Sequence, residues 1–176
     1  MKIVMLDGSP VKDGTTNVLA TRFAAGAQEA GHEVYRFDAA FKKINPCIGC
    51  DTCGMNGPCV HKDDIENDLI ERLVSCDMVV LVSPLYFAGL SAQLKTLIDR
   101  FYSRTESIHR KKSALLIACG SNDSWMLEAI EAYYKKLTNY MEWQDVGKVL
   151  AKGCLDKAAI EKTNFPQAAY EIGKKL

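Results

Sequence analysis

Four cysteines stand close together in one Gly- and Pro-containing stretch of the 176-residue chain. They are Cys47, Cys50, Cys53 and Cys59, with the spacing C-x2-C-x2-C-x5-C. Thiolates this close together are ligands of iron–sulfur clusters and of zinc. The first three match the compact spacing of ferredoxins, although the fourth departs from the ferredoxin x3-C-P pattern, and zinc favours two separated CxxC pairs. Three chemistries stay open: a cluster, a zinc ion, or metal-free thiols that stay reduced or oxidise to a disulfide such as Cys50–Cys53 or Cys47–Cys59.

A second polar group, GSPVKDGTTN, follows the first apolar run and precedes an amphipathic segment. Its hydroxyl and amide side chains and its backbone N–H groups meet at a predicted helix start, where the helix dipole favours an anion. The segment lacks GxGxxG and the P-loop Lys-Ser/Thr pair, which argues against a Rossmann fold and an NTPase. It suits a phosphate monoester that is held rather than transferred. The alternative is an ordinary turn with a Thr or Asn cap.

A third segment, SPLYFAGLS, follows the most apolar run of the chain. Adjacent Leu, Tyr and Phe side chains at a strand end are unusual in a solvent loop, and they can form a platform for a planar ring. Pro84 restricts the backbone before them. The alternative is that Tyr86 and Phe87 cap the core or join a subunit interface. A phosphate loop and an aromatic platform together suggest one ligand with a phosphate and a flat ring, and FMN fits both.

The elements that must position these loops alternate along the chain. Predicted strands span residues 2–6, 32–37, 77–83, 113–119 and 144–150. Predicted helices span 17–30, 63 or 64 to 75, 91–102, 124–140 and 165–176, with Gly31 ending the first and Ser124 capping the fourth. Residues 78–82 and 114–118 are apolar throughout, as in a sheet covered on both faces. We therefore predict an α/β fold with a doubly wound five-stranded parallel sheet, helices on both faces, and ligands at the carboxyl ends of the strands.

Composition excludes several classes of protein. The 22 Lys and Arg residues balance the 22 Asp and Glu residues, which argues against nucleic-acid binding and a polybasic membrane surface. The longest apolar run is far shorter than the roughly 20 residues of a membrane span, and the apolar start is too short for a signal peptide. We expect one domain over residues 1–176, with a cysteine-rich insert at about 45–62, in the cytoplasm, with no nucleic-acid or membrane partner.

Three motifs together resemble the flavodoxin-like NAD(P)H-dependent FMN reductase superfamily over nearly the whole chain. They are GSPxxxGxT after the first strand, SPLYFAGLSAQLKTLIDRF after the third, and PCIGCDTCGMNGPCVHKDD between them. The last resembles the cysteine segment of the iron–sulfur flavoprotein branch. The resemblance implies a flavodoxin-like fold, FMN as cofactor, NAD(P)H as co-substrate and a [4Fe–4S] cluster on the four cysteines.

The resemblance also assigns residues. The phosphate and ribityl chain would be held by Ser9, Lys12, Gly14, Thr15, Thr16 and Asn17. The isoalloxazine would lie against Pro84, Leu85, Tyr86, Phe87, Gly89 and Gly120. Val11 departs from the basic residue of many relatives, which leaves Lys12 as the expected cation at the phosphate. No acid or base residue is assigned, because the cofactor carries the chemistry.

The expected function is FMN-dependent oxidation of NADH or NADPH, with electrons passing to a quinone, a flavin, an azo or nitro compound, or an iron–sulfur centre. One alternative is an iron–sulfur flavoprotein that carries electrons between proteins. Another is a redox sensor that uses its thiols or a metal. Neutral charge favours the enzyme, because dedicated flavodoxins are often strongly acidic. A flavin at a subunit interface would favour a homodimer or homotetramer.

Several other residues are expected to have structural roles. Cys76, on a helix-to-strand turn, is predicted to be structural, Cys119 to be buried, and Cys154 to be a surface or interface thiol. We interpret Asp99–Arg100 as an ion pair on a helix surface. The basic run at 109–112 predicts a solvated face, with attraction of a nicotinamide phosphate as the alternative.

Overall fold

The computed structural model describes residues 1–176. Its strands are β1 (Lys2–Asp7), β2 (Glu33–Asp38), β3 (Met78–Tyr86), β4 (Gly89–Leu90), β5 (Lys112–Ala118) and β6 (Gln144–Ala151). Its α-helices are α1 (Thr15–Glu29), α2 (Ile70–Ser75), α3 (Ala92–Arg100), α4 (Trp125–Tyr140), α5 (Lys157–Glu161) and α6 (Phe165–Lys174). A π-helical turn, Ile65–Leu69, leads into α2. None of the helices is both long and apolar enough to cross a membrane.

The parallel strands lie in the order β2-β1-β3-β5-β6, and β4 pairs with the end of β3 in the antiparallel sense. This confirms the predicted doubly wound five-stranded parallel sheet, in flavodoxin-like order. Successive side chains of a strand point to opposite faces. On β3, Val79 and Leu81 pack in one buried cluster with α2, α3 and α4, whereas Val80 and Val82 pack in a second with α1 and α6. Burial on both faces explains why residues 78–82 are apolar throughout.

Three local predictions need correction. β3 continues past its predicted end, because Pro84 pairs with Ala118 of β5 before the chain turns into β4. Ser124 does not cap α4 through its side chain, and its hydroxyl instead accepts a hydrogen bond from Lys152 at 2.8 Å. The five-residue α5 was not predicted, because it is too short to show an apolar repeat.

Helices α1 and α6 approach each other through glycines. A Cβ on Gly26 would overlap the carbonyl oxygen of Tyr170, and a Cβ on Gly173 would overlap that of Phe23. The two backbones are therefore closer than any larger side chain allows. This packing holds α1, which begins at the phosphate-type loop, against the sheet.

We predict that Gly26→Ala lowers the free energy of unfolding by about 1–3 kcal/mol through overpacking, although alanine favours a helix over glycine by about 1 kcal/mol. Chemical denaturation measures the change. Ala25→Gly, on the exposed side of the same helix, is the control for helix propensity alone. A Gly26→Ala variant that is more stable than the wild type would contradict close packing of α1 on α6.

Candidate functional site

The carboxyl ends of the strands surround a cavity of about 420 Å³. Most of the predicted cofactor-binding residues line it, although they come from three separate loops: Ser9, Gly14, Thr15, Thr16, Pro84, Leu85, Tyr86 and Gly120. Other lining residues were not predicted: Val11, Asp13, Ala118, Cys154, Leu155, Asp156 and Lys157. The cavity therefore has hydroxyl and backbone N–H groups at one end and an apolar surface at the other.

Two of the residues predicted for the phosphate end do not line this cavity. The ammonium group of Lys12 lies 4.8 Å from the centre of the Phe41 ring, in a cation–π contact. The side-chain oxygen of Asn17 accepts a hydrogen bond from Arg36 at 2.8 Å. Both side chains therefore already have partners within the chain.

Two of the residues predicted for the ring end, Phe87 and Gly89, also do not line the cavity. They belong to the hairpin that joins β3 to β4. Tyr86 pairs with Gly89, and Phe87 and Ala88 between them have φ values of 49° and 60°. Successive left-handed residues form a type I′ turn, which usually carries Asn-Gly. Non-glycine residues there cost roughly 1–2 kcal/mol each. Phe87 is fully exposed at the tip, outside the cavity, and the sequence carries no Asn-Gly signal that predicts this hairpin.

A buried carboxylate supports the start of the phosphate-type loop. Asp7 ends β1 with 1% of its surface exposed. It accepts hydrogen bonds from the N–H of Ser9 at 2.8 Å and from Arg36 at 2.7 Å. Burial raises the pKa of Asp7 to about 6, although the Ser9 hydrogen bond and the charge of Arg36 oppose the rise. The same arginine therefore joins Asp7 to Asn17, one on each side of the loop.

The loop after β6 contributes a wall that sequence reasoning missed. The Cys154 thiol is buried and lines the cavity, so its prediction as a surface or interface thiol is wrong. Its backbone N–H donates to Cys119, which anchors the loop beside β5. Asp156 accepts from the N–H of Ala159 at 2.8 Å and caps α5. This cap is the one sequence signal that could have revealed α5 and Lys157, its first residue.

The four clustered cysteines line a second cavity, of about 540 Å³, which shares no residue with the first. Cys47 and Cys50 are exposed, Cys53 is half-buried and Cys59 is buried, and all are free thiols. No three His, Cys, Asp or Glu side chains lie close enough together to bind a single metal ion. The thiols therefore surround a space rather than converge on one point.

Left-handed backbone shapes the cysteine loop. Gly49 and Gly54 have φ values of 67° and 53°, and a Cβ on either would meet no atom within 4 Å. Conformation rather than space therefore favours glycine at both positions. Within the loop, hydrogen bonds from Thr52 lower the pKa of the Cys50 thiol.

A buried ion pair closes the base of the cysteine loop. Arg100 donates to the carboxylate of Asp63 at 2.7 Å and to the carbonyl oxygen of Asn45 at 2.9 Å. Asp63 also accepts from the N–H of Asn45 at 2.8 Å. Burial opposes ionisation of Asp63, but the hydrogen bonds from Arg100 and Asn45 prevail and lower its pKa. The predicted surface pair Asp99–Arg100 is wrong, because Arg100 is fully buried and Asp99 pairs with Lys95.

The basic run at 109–112 lies at the opposite edge of the sheet. Lys112 begins β5, and the ammonium group of Lys111 donates to the carbonyl oxygen of Cys76 at 2.7 Å. The seven residues of β5 put this run about 23 Å from the cavity edge. At this distance, the basic run at 109–112 does not attract a nicotinamide phosphate into the cavity.

Comparison with known proteins shows which family shares this sequence pattern. The model of the NADPH-dependent FMN reductase family matches residues 1–154. The chain belongs to that family. Among its relatives, an iron–sulfur flavoprotein of Methanocaldococcus jannaschii is 39% identical over 100 residues, which cover 57% of this chain and 51% of the relative. An iron–sulfur flavoprotein of Methanosarcina thermophila is 26% identical over 186 residues, which cover 100% and 93%.

Solved structures agree with the fold of this FMN reductase family member. The NAD(P)H:quinone oxidoreductase of Methanothermobacter marburgensis superposes with a TM-score of 0.75 at 18% identity, over 99% of this chain and 96% of that one. The family and the flavodoxin-like fold predicted from the three motifs are thus confirmed. The chain spans about half the length of the first curated relatives it matches.

Because the pKa of Asp7 is raised in the folded protein, the free energy of unfolding should change with pH in a defined direction. Between about pH 4 and pH 6 the folded protein holds a proton on Asp7 that the unfolded chain has released. The free energy of unfolding should therefore fall as pH rises through this range, by up to about 3 kcal/mol. Urea unfolding at several pH values should show that Asp7→Asn abolishes this part of the slope. Asp38→Asn, which removes an exposed partner of the same arginine, should retain most of it, and equal slopes in all three proteins would contradict the assignment.

Breaking the buried Asp63–Arg100 pair at the base of the cysteine loop should strongly destabilise the protein. Arg100→Gln leaves Asp63 charged, buried and without its cation, and should lower the free energy of unfolding by about 3–5 kcal/mol. Lys95→Gln, which breaks an exposed pair on the same helix, should cost less than about 1 kcal/mol. Hydrogen exchange should show residues 45–62 losing protection first in Arg100→Gln. Equal effects of the two variants would rule out this anchoring role.

Proposed function

We propose that this chain is an FMN-dependent oxidoreductase that oxidises NADH or NADPH and passes the electrons to a quinone, a flavin, an azo or nitro compound, or an iron–sulfur centre. One observation carries the proposal. In a member of the NADPH-dependent FMN reductase family, a single cavity joins the hydroxyl-rich loop after β1 to the apolar end of β3.

The residues present fit FMN. The cavity volume of about 420 Å³ falls in the usual range for ligand pockets. Thr15 and Thr16 begin α1, and the first N–H groups of a helix have no partner within the helix. Together with the Ser9 hydroxyl, they can donate to a phosphate. Pro84, Leu85 and Tyr86 supply the flat apolar surface for the ring system.

The chemistry that bound FMN would supply is hydride and electron transfer between a nicotinamide and an acceptor. The chain supplies binding and orientation. Asp7 fixes the N–H of Ser9 at the start of the phosphate-type loop. Leu155 packs directly on Gly120, where a Cβ would come within 2.8 Å of the Leu155 side chain. Glycine at this position therefore leaves room for Leu155 in the wall of the cavity.

We propose further that the four cysteines hold a [4Fe–4S] cluster. The donor set is right, because such clusters are bound by four Cys thiolates, and all four thiols line one cavity. Four thiolates that surround a space, rather than converge on one point, would suit a cluster better than a single metal ion. The names of the archaeal relatives, iron–sulfur flavoproteins, support this proposal. We also propose that the protein is located in the cytoplasm and forms a homodimer or homotetramer.

A second candidate function is electron transfer between protein partners. The exposure of Cys47 and Cys50 favours it, because a cluster there would be accessible from the surface. Steady-state oxidation of NADH or NADPH by the purified protein with a quinone supports the enzyme. Fast reduction by a protein donor alone supports the carrier.

The two cavities share no residue, so we expect their ligands to be lost independently. Protein purified without oxygen should contain FMN, iron and sulfide. Thr15→Val, which removes one donor from the first cavity, should weaken FMN binding by about tenfold and retain iron. Cys50→Ser should lose iron and sulfide while FMN binding stays at the wild-type level. Absorption spectra, flavin fluorescence titration and iron assays measure these outcomes.

Each result bears on one part of the proposal. Wild-type protein that binds no added FMN would refute the oxidoreductase. Wild-type protein with FMN and no iron would refute the cluster and leave the oxidoreductase intact.

A further inference from the structure

We propose that Lys157, at the start of α5, supplies the positive charge that pairs with the phosphate group of the flavin. This inference rests on the proposed FMN site and goes beyond it, because it makes the site selective for a phosphorylated flavin. The sequence motif points to Lys12 for this role, and the structure points elsewhere.

The first step concerns which cations face the cavity. Lys157 is the only Lys or Arg among its lining residues. Lys12 is engaged with the Phe41 ring. Arg36 is bound to two carboxylates, those of Asp7 and Asp38, at 2.7 and 2.8 Å. Neither Lys12 nor Arg36 lines the cavity.

The second step concerns the partners of Lys157 itself. Its ammonium group lies 4.0 Å from Glu161 on the next turn, and both side chains are about half exposed. Exposed pairs of this kind contribute little and exchange easily. The neighbouring carboxylate of Asp156 accepts from the N–H of Ala159, and the ion pair of Lys157 is with Glu161. Lys157 can therefore leave Glu161 for a stronger anion.

The third step concerns how the loop is held in place. The N–H of Gly153 donates to the carbonyl oxygen of Ser121, and the N–H of Cys154 donates to that of Cys119, both at 2.8 Å. The chain from β6 is thus fixed beside β5 before it reaches Lys157. Gly14, Thr15 and Thr16 lie on the same cavity, so the lysine and the phosphate-type loop share one space.

The chemistry then favours a phosphate. On the cavity, the loop after β1 offers only neutral donors, namely hydroxyl and backbone N–H groups, together with Asp13. A dianionic phosphate removed from water needs a counter-charge, because a desolvated charge without a partner is costly. Val11 and Asp13 leave no positive side chain on the loop side of the cavity. Lys157 provides that charge from the start of α5, on the same cavity.

The test compares FMN with riboflavin, which has the same ring and no phosphate. Dissociation constants are measured by flavin fluorescence on the full chain freed of bound flavin. We expect Lys157→Met to weaken FMN binding by about tenfold and to leave riboflavin binding unchanged. Lys157→Arg should restore FMN binding. Lys12→Met is the matched control and should alter neither constant.

A gain-of-function variant keeps the test independent of folding defects. Glu161→Gln releases Lys157 from its only carboxylate partner and should tighten FMN binding while leaving riboflavin binding unchanged. Equal FMN affinity in Lys157→Met and the wild type, or loss of FMN binding in Lys12→Met alone, would overturn the inference while FMN binding itself stands. Wild-type protein that binds neither flavin would refute the proposed function on which the inference rests.

Discussion

The constraint on which this structure depends is a parallel sheet buried on both faces. Because β1, β3 and β5 pack against helices on each side, almost every side chain along them is apolar. Polar chemistry is therefore confined to the ends of the strands. The carboxyl ends of β1, β3, β5 and β6 meet at one edge, where loops distant in sequence line one cavity.

Buried carboxylate–arginine pairs anchor the loops at both cavities. Asp7 and Arg36 hold the start of the phosphate-type loop, and Asp63 and Arg100 join the two ends of the cysteine loop. Isolated buried charges would be unstable, so each pair is completed by hydrogen bonds to the backbone of the loop it holds. Loops rich in Gly and Pro, with few packed side chains, thus gain defined positions from a small number of strong contacts.

The fold was predictable because its signals are local and repeated. Continuous apolar strands alternating with amphipathic helices specify a doubly wound sheet, and three motifs indicate the family. The wall made by Leu155 and Lys157 was missed, because α5 is too short for an apolar repeat and the Asp156 cap is its one local signal in the sequence. Arg100 was misread for a related reason: Asp99 and Arg100 are adjacent in sequence, but adjacent helix residues face different directions.

Helix α3 explains why the two cavities are separate. Its cap, Ser91, donates to the carbonyl oxygen of Gly8 at the carboxyl edge of the sheet, whereas Asp99 and Tyr102 at its far end line the cysteine cavity. The nine residues of α3 span about 13 Å. The cysteine loop follows β2 at the carboxyl edge of the sheet. Arg100, the last residue of α3, anchors it through Asn45 and Asp63. Each cavity therefore has its own anchoring pair and its own lining residues, so a ligand in one can be lost or exchanged without dismantling the other.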